Sequence, residues 1–269
     1  MPAPDPVALS VNTPHGPLQL YVHDENDRVI SRTLREQGVW EPYETTLVLT
    51  TLRAGGVFID VGANLGYFSI VAASVVGPAG KVFAFEPDAS NFALLQRNAT
   101  HNNLQERIHA AQIALHDCAG EGRLYLSRDN SGDHQIHSSD ERRDSVPVRL
   151  CHGSDYLEPL VSRIDLLKID TQGAEYAVVK GLLPLLLGLP EKPSVLIELT
   201  PLSLRQAGSS GRQLIALLEQ LQRPFWIVDH IEHRLVACAP QALAQWCDNV
   251  DAVDGDAGFM NILVGPGLP

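Results

Sequence analysis

The 269-residue sequence predicts an α/β fold in which a mostly parallel sheet is flanked by helices. Three observations point to it. From Gly55 onward, short β-rich apolar runs alternate with helix-like stretches, which is the rhythm of βαβ units. The run VFIDVGANLGYFS, residues 57–69, reads as a buried strand, a glycine-rich turn and the start of a helix. Acids stand at the carboxyl ends of apolar strands, at Asp60, Glu86, Asp170 and Glu198, where open α/β sheets bind their ligands.

The elements follow in order. Residues 1–54 mix short apolar pieces such as LQLYVH with an acidic turn at Asp24 to Asp27, then reach TLVLTTL, which is expected to be helical. This segment is read as a cap on the substrate side, ahead of a domain over 55–269. Seven strands are expected there: VFIDV, KVFAFE, RIHAAQI, DLLKID, SVLIEL, PFWIVD and FMNILV. Helices are expected around 66–76, 88–101, 174–186 and 211–221. Between RIHAAQI and DLLKID the rhythm fails, and GRLYLS and SVPVRLC read as an inserted hairpin around a polar loop, 127–145. A polar loop of that length in a compact domain suggests a functional segment.

Composition narrows the partners. The net charge of -12 argues against nucleic acid, because a phosphate-binding face needs clustered Lys and Arg. The richest basic pair, Arg142 and Arg143, is flanked by Asp140, Glu141 and Asp144. The four cysteines, Cys118, Cys151, Cys238 and Cys247, form no CxxC pair and are expected to be reduced thiols in a cytoplasmic protein. The most apolar stretch, GLLPLLLGLP at 181–190, is too short to span a bilayer and contains Pro184, so no membrane partner is expected. The apolar N-terminal elements leave a symmetric homodimer open.

The glycine-rich turn carries the first chemical signal. Gly62 and Gly66 let a ligand approach the backbone, and Asp60 offers a carboxylate at the strand end. The dinucleotide fingerprint GxGxxG is not matched, because Asn64 stands where its middle glycine would be, so an adenosyl amino acid fits better than a pyrophosphate. Glu86, in KVFAFEPD, follows the glycines by about 20 residues, where ribose hydroxyls are read. Asp170 and Glu198 end two further strands. If those strands are neighbours, the two carboxylates are placed to hold a divalent metal such as Mg2+ or a substrate hydroxyl. Lys168 is read as an inward side chain paired with a neighbour, and Glu175 as either a site residue or a first-turn acid placed by the helix dipole.

Together, FIDVGANLGYFS, FEPD, LLKIDTQGAE and the closing MNILVGP resemble the FkbM-type methyltransferases over most of the chain, from Gly55 onward. The resemblance implies a class I methyltransferase, Rossmann-like fold, S-adenosylmethionine as methyl donor, and O-methylation of a small-molecule hydroxyl on a sugar, glycosylated compound or polyketide. It places Asp60, Gly62, Asn64 and Gly66 along the methionine part of the donor, with Tyr67 covering it. Glu86 and Pro87 would lie at the ribose, Ile113 and Ala114 near adenine, and Asp170 beside the reacting methyl. Where the family has an acid, this chain has Gln172, which weakens any metal role.

The loop NSGDHQIHSSDERRDSVPV also resembles part of that family, and His134 is the expected general base, since an ordinary imidazole pKa of about 6.5 leaves it neutral at physiological pH. His137 and Asp133 are lesser candidates. Trp40, Trp226 and Trp246 read as packing residues, with Trp40 and Tyr43 able to form an acceptor wall, and His230 and His233 fall at a strand turn. Two rival activities remain, N-methylation of a small molecule and NAD-dependent oxidoreduction; the missing GxGxxG counts against the second.

Overall fold

The computed structural model describes residues 5–127, 130–136 and 143–267. The N-terminal segment forms a two-stranded ribbon, β1 (Val7–Ala8) and β2 (Gln19–Leu20), then α1 (Ile30–Gln37) and α2 (Pro42–Thr51). The expected alternation follows: β3 (Val57–Val61), α3 (Tyr67–Val76), β4 (Lys81–Phe85), α4 (Ala89–His101) and β5 (Ile108–Ala111). The chain then builds a smaller sheet from β6 (Ala114–His116), β7 (Gly120–Tyr125) and β8 (Ser145–His152), and returns through α5 (Gly153–Leu157). The second half runs β9 (Leu166–Ile169), α6 (Glu175–Gly188), β10 (Ser194–Leu199), α7 (Pro201–Gln206), α8 (Gly211–Glu219), β11 (Phe225–Asp229), β12 (Arg234–Cys238), α9 (Pro240–Asp251) and β13 (Met260–Val264).

The large sheet has the order β12-β11-β13-β10-β9-β3-β4-β5. Strands β3, β4, β5, β9 and β10 are mutually parallel, while β13 runs antiparallel to both its neighbours. The Rossmann-like expectation holds, and all seven expected strands form. The sheet has an eighth member, β12, which was not expected: its apolar run, residues 235–238, is short and closely follows β11. The expected hairpin is β7 paired with β8, and a third strand, β6, joins it in parallel.

The residues alternate between two faces, as the pleat requires. Phe58, Val82, Leu166 and Leu196 face one core, shared with α3, α4 and the N-terminal residues Leu18, Leu34 and Leu47. Ile59, Phe83, Leu167 and Ile197 face the other, under α6, α8 and α9. Residues 5–54 thus pack into the first core as part of it. Helix α6 continues through Pro184 because the Ser154 hydroxyl is inserted into the ladder there: it donates to the Gly181 carbonyl at 2.7 Å and accepts from the Leu185 amide at 3.1 Å. Among the described residues no helix is long and apolar enough to cross a membrane.

The topology positions the site. After β3 the chain steps to β4 and β5 on one side, and after the small sheet it resumes at β9 on the other. The carboxyl ends of β3 and β9 therefore flank the switch point, where the connecting loops diverge and leave a crevice.

Candidate active site

The turn after β3 meets the turn after β9 backbone to backbone. Gly62 has φ +84°, and a Cβ built there would lie 1.8 Å from the Asp170 carbonyl oxygen, so only glycine permits this approach. The Asp170 amide donates to the Val61 carbonyl at 3.0 Å. Asn64, also left-handed at φ 50°, donates its amide to Glu86 Oε2 at 2.8 Å. The Asp88 amide donates to Glu86 Oε1 at 2.8 Å. Burial pushes the Glu86 carboxyl up to about 7, against the pull of those two amides.

One cavity lies along this crevice, lined by Gly62, Asn64, Glu86, Pro87, Ile113, Ala114, His134 and Asp170, eight of the expected site residues. The others sit elsewhere. Asp60 points to the opposite face, accepts the Ser69 hydroxyl at 2.6 Å and is raised to about 6 by burial, which outweighs Lys168. Gly66 packs α3 against α4, where a Cβ would be 3.1 Å from Leu95 Cγ. Tyr67 is buried with its hydroxyl 3.0 Å from Thr45 Oγ1 and lines a second cavity. Glu198 lies outside both. Asp60, Gly66 and Tyr67, expected along the donor, therefore do not line the first cavity, and neither does Glu198, expected beside Asp170.

A loop closes the first cavity. The Ser131 carbonyl accepts from Asn64 Nδ2 at 2.8 Å and Asn91 Nδ2 at 3.2 Å, and its hydroxyl donates to buried Asp27 at 2.9 Å. Arg143 pairs with Asp133 at 2.6 Å, which accounts for Asp133. His137 lies outside the described residues.

His134 needs a correction. Its Nδ1 accepts the Ser127 amide at 3.0 Å, so the neutral ring carries its proton on Nε2 and presents a donor, with its basic nitrogen already engaged. Burial holds the imidazole below its ordinary pKa despite Asp88 and Asp133. The hydrogen bond from Ser127 leaves Nε2 as a donor toward the cavity.

The second cavity shares Gly62, Asn64, Gly132 and Asp170 with the first and is walled by Trp40, Tyr67, Phe68 and Lys168. Tyr43 instead stacks on His233, with ring centroids 5.7 Å apart. Register sets Lys168 beside Asp60, and Glu198 beside Asn261. The buried Lys168 ammonium lies 3.0 Å from Asp170 and 3.9 Å from Glu44, and 4.5 Å from the centre of the Phe68 ring. Burial lowers its pKa, but Asp170, Glu44, Glu41 and Asp60 more than reverse this, so it stays charged. Glu44 itself is pushed well up by burial and by Glu41, and stands 3.7 Å from His230 Nε2. Glu41 adopts a left-handed backbone, φ 43°, and its buried Oε2 has no hydrogen-bond partner among the described residues.

Gln172 Nε2 donates to Asp170 Oδ1 at 2.9 Å and to Glu198 Oε2 at 2.7 Å. Burial, then Asp170, pushes Glu198 up to about 9. An amide donor therefore occupies the place between the carboxylates where a dication would sit, and one carboxyl is protonated at neutral pH. The pair does not fit the expected metal site. Glu175 accepts the Thr171 amide at 2.9 Å and the Gly173 amide at 2.9 Å, a structural role in the turn.

Sequence reasoning missed Glu41, Glu44 and His230 as members of this cluster. The available signal was two acids in WEPYETTLVLTTL, a stretch otherwise apolar enough to be buried. A Tyr-x-x-x-Lys spacing, a mark of the oxidoreductase rival, does occur at Tyr176 and Lys180 on α6, but Lys180 is tied to Asp117 at 2.6 Å and neither residue lines the first cavity.

The methyltransferase sdnD of Sordaria araneosa is 29% identical over 163 residues, covering 49% of this chain and 62% of that protein. The 31-O-demethyl-FK506 methyltransferase FkbM of Streptomyces tacrolimicus is 31% identical over 163 residues, covering 48% and 60%. The matches thus span about three fifths of these relatives. A crystal structure of the methyltransferase FkbM from Methylobacillus flagellatus superposes with a TM-score of 0.45 at 15% identity, covering 79% of this chain and 44% of that one. The methyltransferase FkbM domain profile matches residues 60–224, more than half of the 269 residues, and the chain belongs to that family.

Proposed function

We propose that the protein transfers a methyl group from S-adenosylmethionine to a hydroxyl of a small molecule, a sugar or another natural product. The observation that carries this reading is the pair of cavities meeting at Gly62 and Asp170: one is lined by the buried Glu86 carboxyl, the other is aromatic-walled. The residues fit an adenosyl amino acid. Glu86 would accept the ribose hydroxyls, Pro87, Ile113 and Ala114 would enclose adenine, and Gly62 and Asn64 would lie along the methionine part. His134 Nε2 would donate to the nucleoside. The bound donor supplies a methyl group on a sulfonium cation.

The acceptor would lie between Trp40, Tyr67 and Phe68, its hydroxyl directed at Asp170. Direct displacement needs a near-linear approach, and loss of the hydroxyl proton as the bond forms lowers the barrier. The test is calorimetric titration with S-adenosylhomocysteine, NAD and NADP. Binding of S-adenosylhomocysteine alone, weakened about 10–100-fold by Glu86→Gln, is the expected result; binding of NAD in its place would overturn the reading.

A further inference from the structure

A second cluster lies outside both cavities. At the exit of β6 the chain bends at Asp117 and Cys118, so three consecutive side chains that would alternate along a strand converge. His116 Nδ1 lies 2.8 Å from Asp117 Oδ1 and 3.3 Å from Cys118 Sγ. The three donor atoms are all within 4.8 Å of one another.

We infer that His116, Asp117 and Cys118 form a binding site for a borderline transition-metal dication of the zinc class, with one coordination position open. A single ring nitrogen faces both a carboxylate and a thiol. If Nδ1 carries a proton it satisfies Asp117 but offers the thiol no acceptor; without one it accepts from the thiol and sets its lone pair against the carboxylate. A dication in place of that proton satisfies all three. Tetrahedral zinc, with bonds of about 2.0 Å to N and O and 2.3 Å to S, needs donor–donor separations of about 3.3–3.6 Å. The nitrogen–sulfur separation is already there, and the carboxylate has to open by a few tenths of an ångström.

The surroundings hold this geometry. Lys180 donates to Asp117 Oδ2 at 2.6 Å, which orients the carboxylate and leaves Oδ1 for a metal. Helix α6 presses on the strand end: a Cβ on Gly181 would lie 2.1 Å from the His116 carbonyl oxygen. The sulfur–nitrogen–oxygen set selects zinc or cobalt over magnesium. His116 and Asp117 also line a third cavity, which shares Ile136 and Gln172 with the first, so the open position is reachable from that side. The site does not depend on the methyltransferase reading.

The test is titration of the full-length protein with Co2+ under reducing conditions, followed by absorption and reversed with Zn2+. The expected result is one equivalent bound with a thiolate-to-cobalt charge-transfer band, abolished in Cys118→Ser and weakened at least about tenfold in His116→Ala. Thermal unfolding checks that both variants fold. Lys180→Met provides a second, milder perturbation, with affinity falling by a smaller factor. Absence of the thiolate band, or an undiminished band in Cys118→Ser, would overturn the site.

Discussion

Gly62→Ala tests the coupling between fold and site. The added methyl would lie 1.8 Å from the Asp170 carbonyl oxygen and 2.9 Å from its carbon, both backbone atoms of a strand end that cannot rotate aside. Relief requires the turn after β3 to separate from the turn after β9 by well over an ångström. A left-handed backbone costs alanine about 1–2 kcal/mol, and overpacking of this kind costs about 1–3 kcal/mol, so the sum is on the order of 2–5 kcal/mol. For a domain of this size each kcal/mol lowers the unfolding midpoint by about 2–4 °C. Differential scanning calorimetry should show a fall of about 5–20 °C, and titration with S-adenosylhomocysteine should show weaker binding, because the shared wall of both cavities moves. Gly66→Ala is the control. Its φ of +93° carries similar strain, but the nearest atom is a leucine side-chain carbon at 3.1 Å, so it should destabilise less and spare the cavity. An unchanged midpoint for Gly62→Ala, or the reverse order of the two variants, would refute the reasoning.

Four further outcomes follow from the same geometry. Burial holds Glu198 protonated up to about 9, against an ordinary 4.5, so the folded state binds the proton more tightly and stability falls as pH rises between those values. Glu198→Gln should flatten that decline and gain on the order of 2 kcal/mol near pH 9 in denaturant titrations, with little gain near pH 4. His134→Gln should weaken S-adenosylhomocysteine binding in calorimetry while leaving single-turnover methyl transfer at saturating donor nearly unchanged; a large loss of turnover at unchanged affinity would restore the ring as base. Asp27→Ala, which strips the acceptor from Ser31 and Ser131, should cost about 1–3 kcal/mol and speed proteolytic cleavage within the loop over 127–145. Glu41→Gln should stabilise the fold in alkaline denaturant titrations with donor affinity intact, since burial raises the Glu41 carboxyl and the amide has no proton to lose; a loss of stability at high pH would refute this.

The sequence made the sheet legible because its strands are apolar on both faces and end in acids. VFIDV, KVFAF and SVLIEL have few polar residues, so their limits coincide with β3, β4 and β10 almost to the residue. β12 was missed although residues 235–238 are apolar, because the run is short and lies at the sheet edge with its side chains mostly exposed. The donor-side residues were legible through local spacing, since Gly62, Asn64 and Glu86 lie in two consecutive strand turns. The face-one acids were not. Glu41 and Glu44 reach Lys168 from more than a hundred residues away, and that contact is set by how α2 lies across the sheet, which no local pattern encodes. His134 was legible as a residue of the site, yet its tautomer depends on one backbone amide at Ser127.

Electrostatic bookkeeping around Lys168 explains how so many acids coexist there. Asp60, Asp170, Glu198, Glu41 and Glu44 outnumber one buried ammonium, and five carboxylates packed in a low-dielectric interior would cost far more than a single ion pair returns. The cluster avoids this by staying partly neutral. Glu198 and Glu44 are raised by burial and by their neighbours, Glu41 is raised as well, and Asp170 is paired directly with Lys168. What remains is a row of hydrogen-bonded acids whose net charge at neutral pH is small and negative. On the proposed reading, such a row would attract the sulfonium of the donor without trapping it and would release the neutral thioether left after transfer. Lys168→Met removes the compensating charge and leaves the row more negative, so it should weaken binding of S-adenosylhomocysteine more than binding of the cationic donor. Equal loss for the two ligands would show that Lys168 serves packing against Phe68 and leaves the charge balance to other groups.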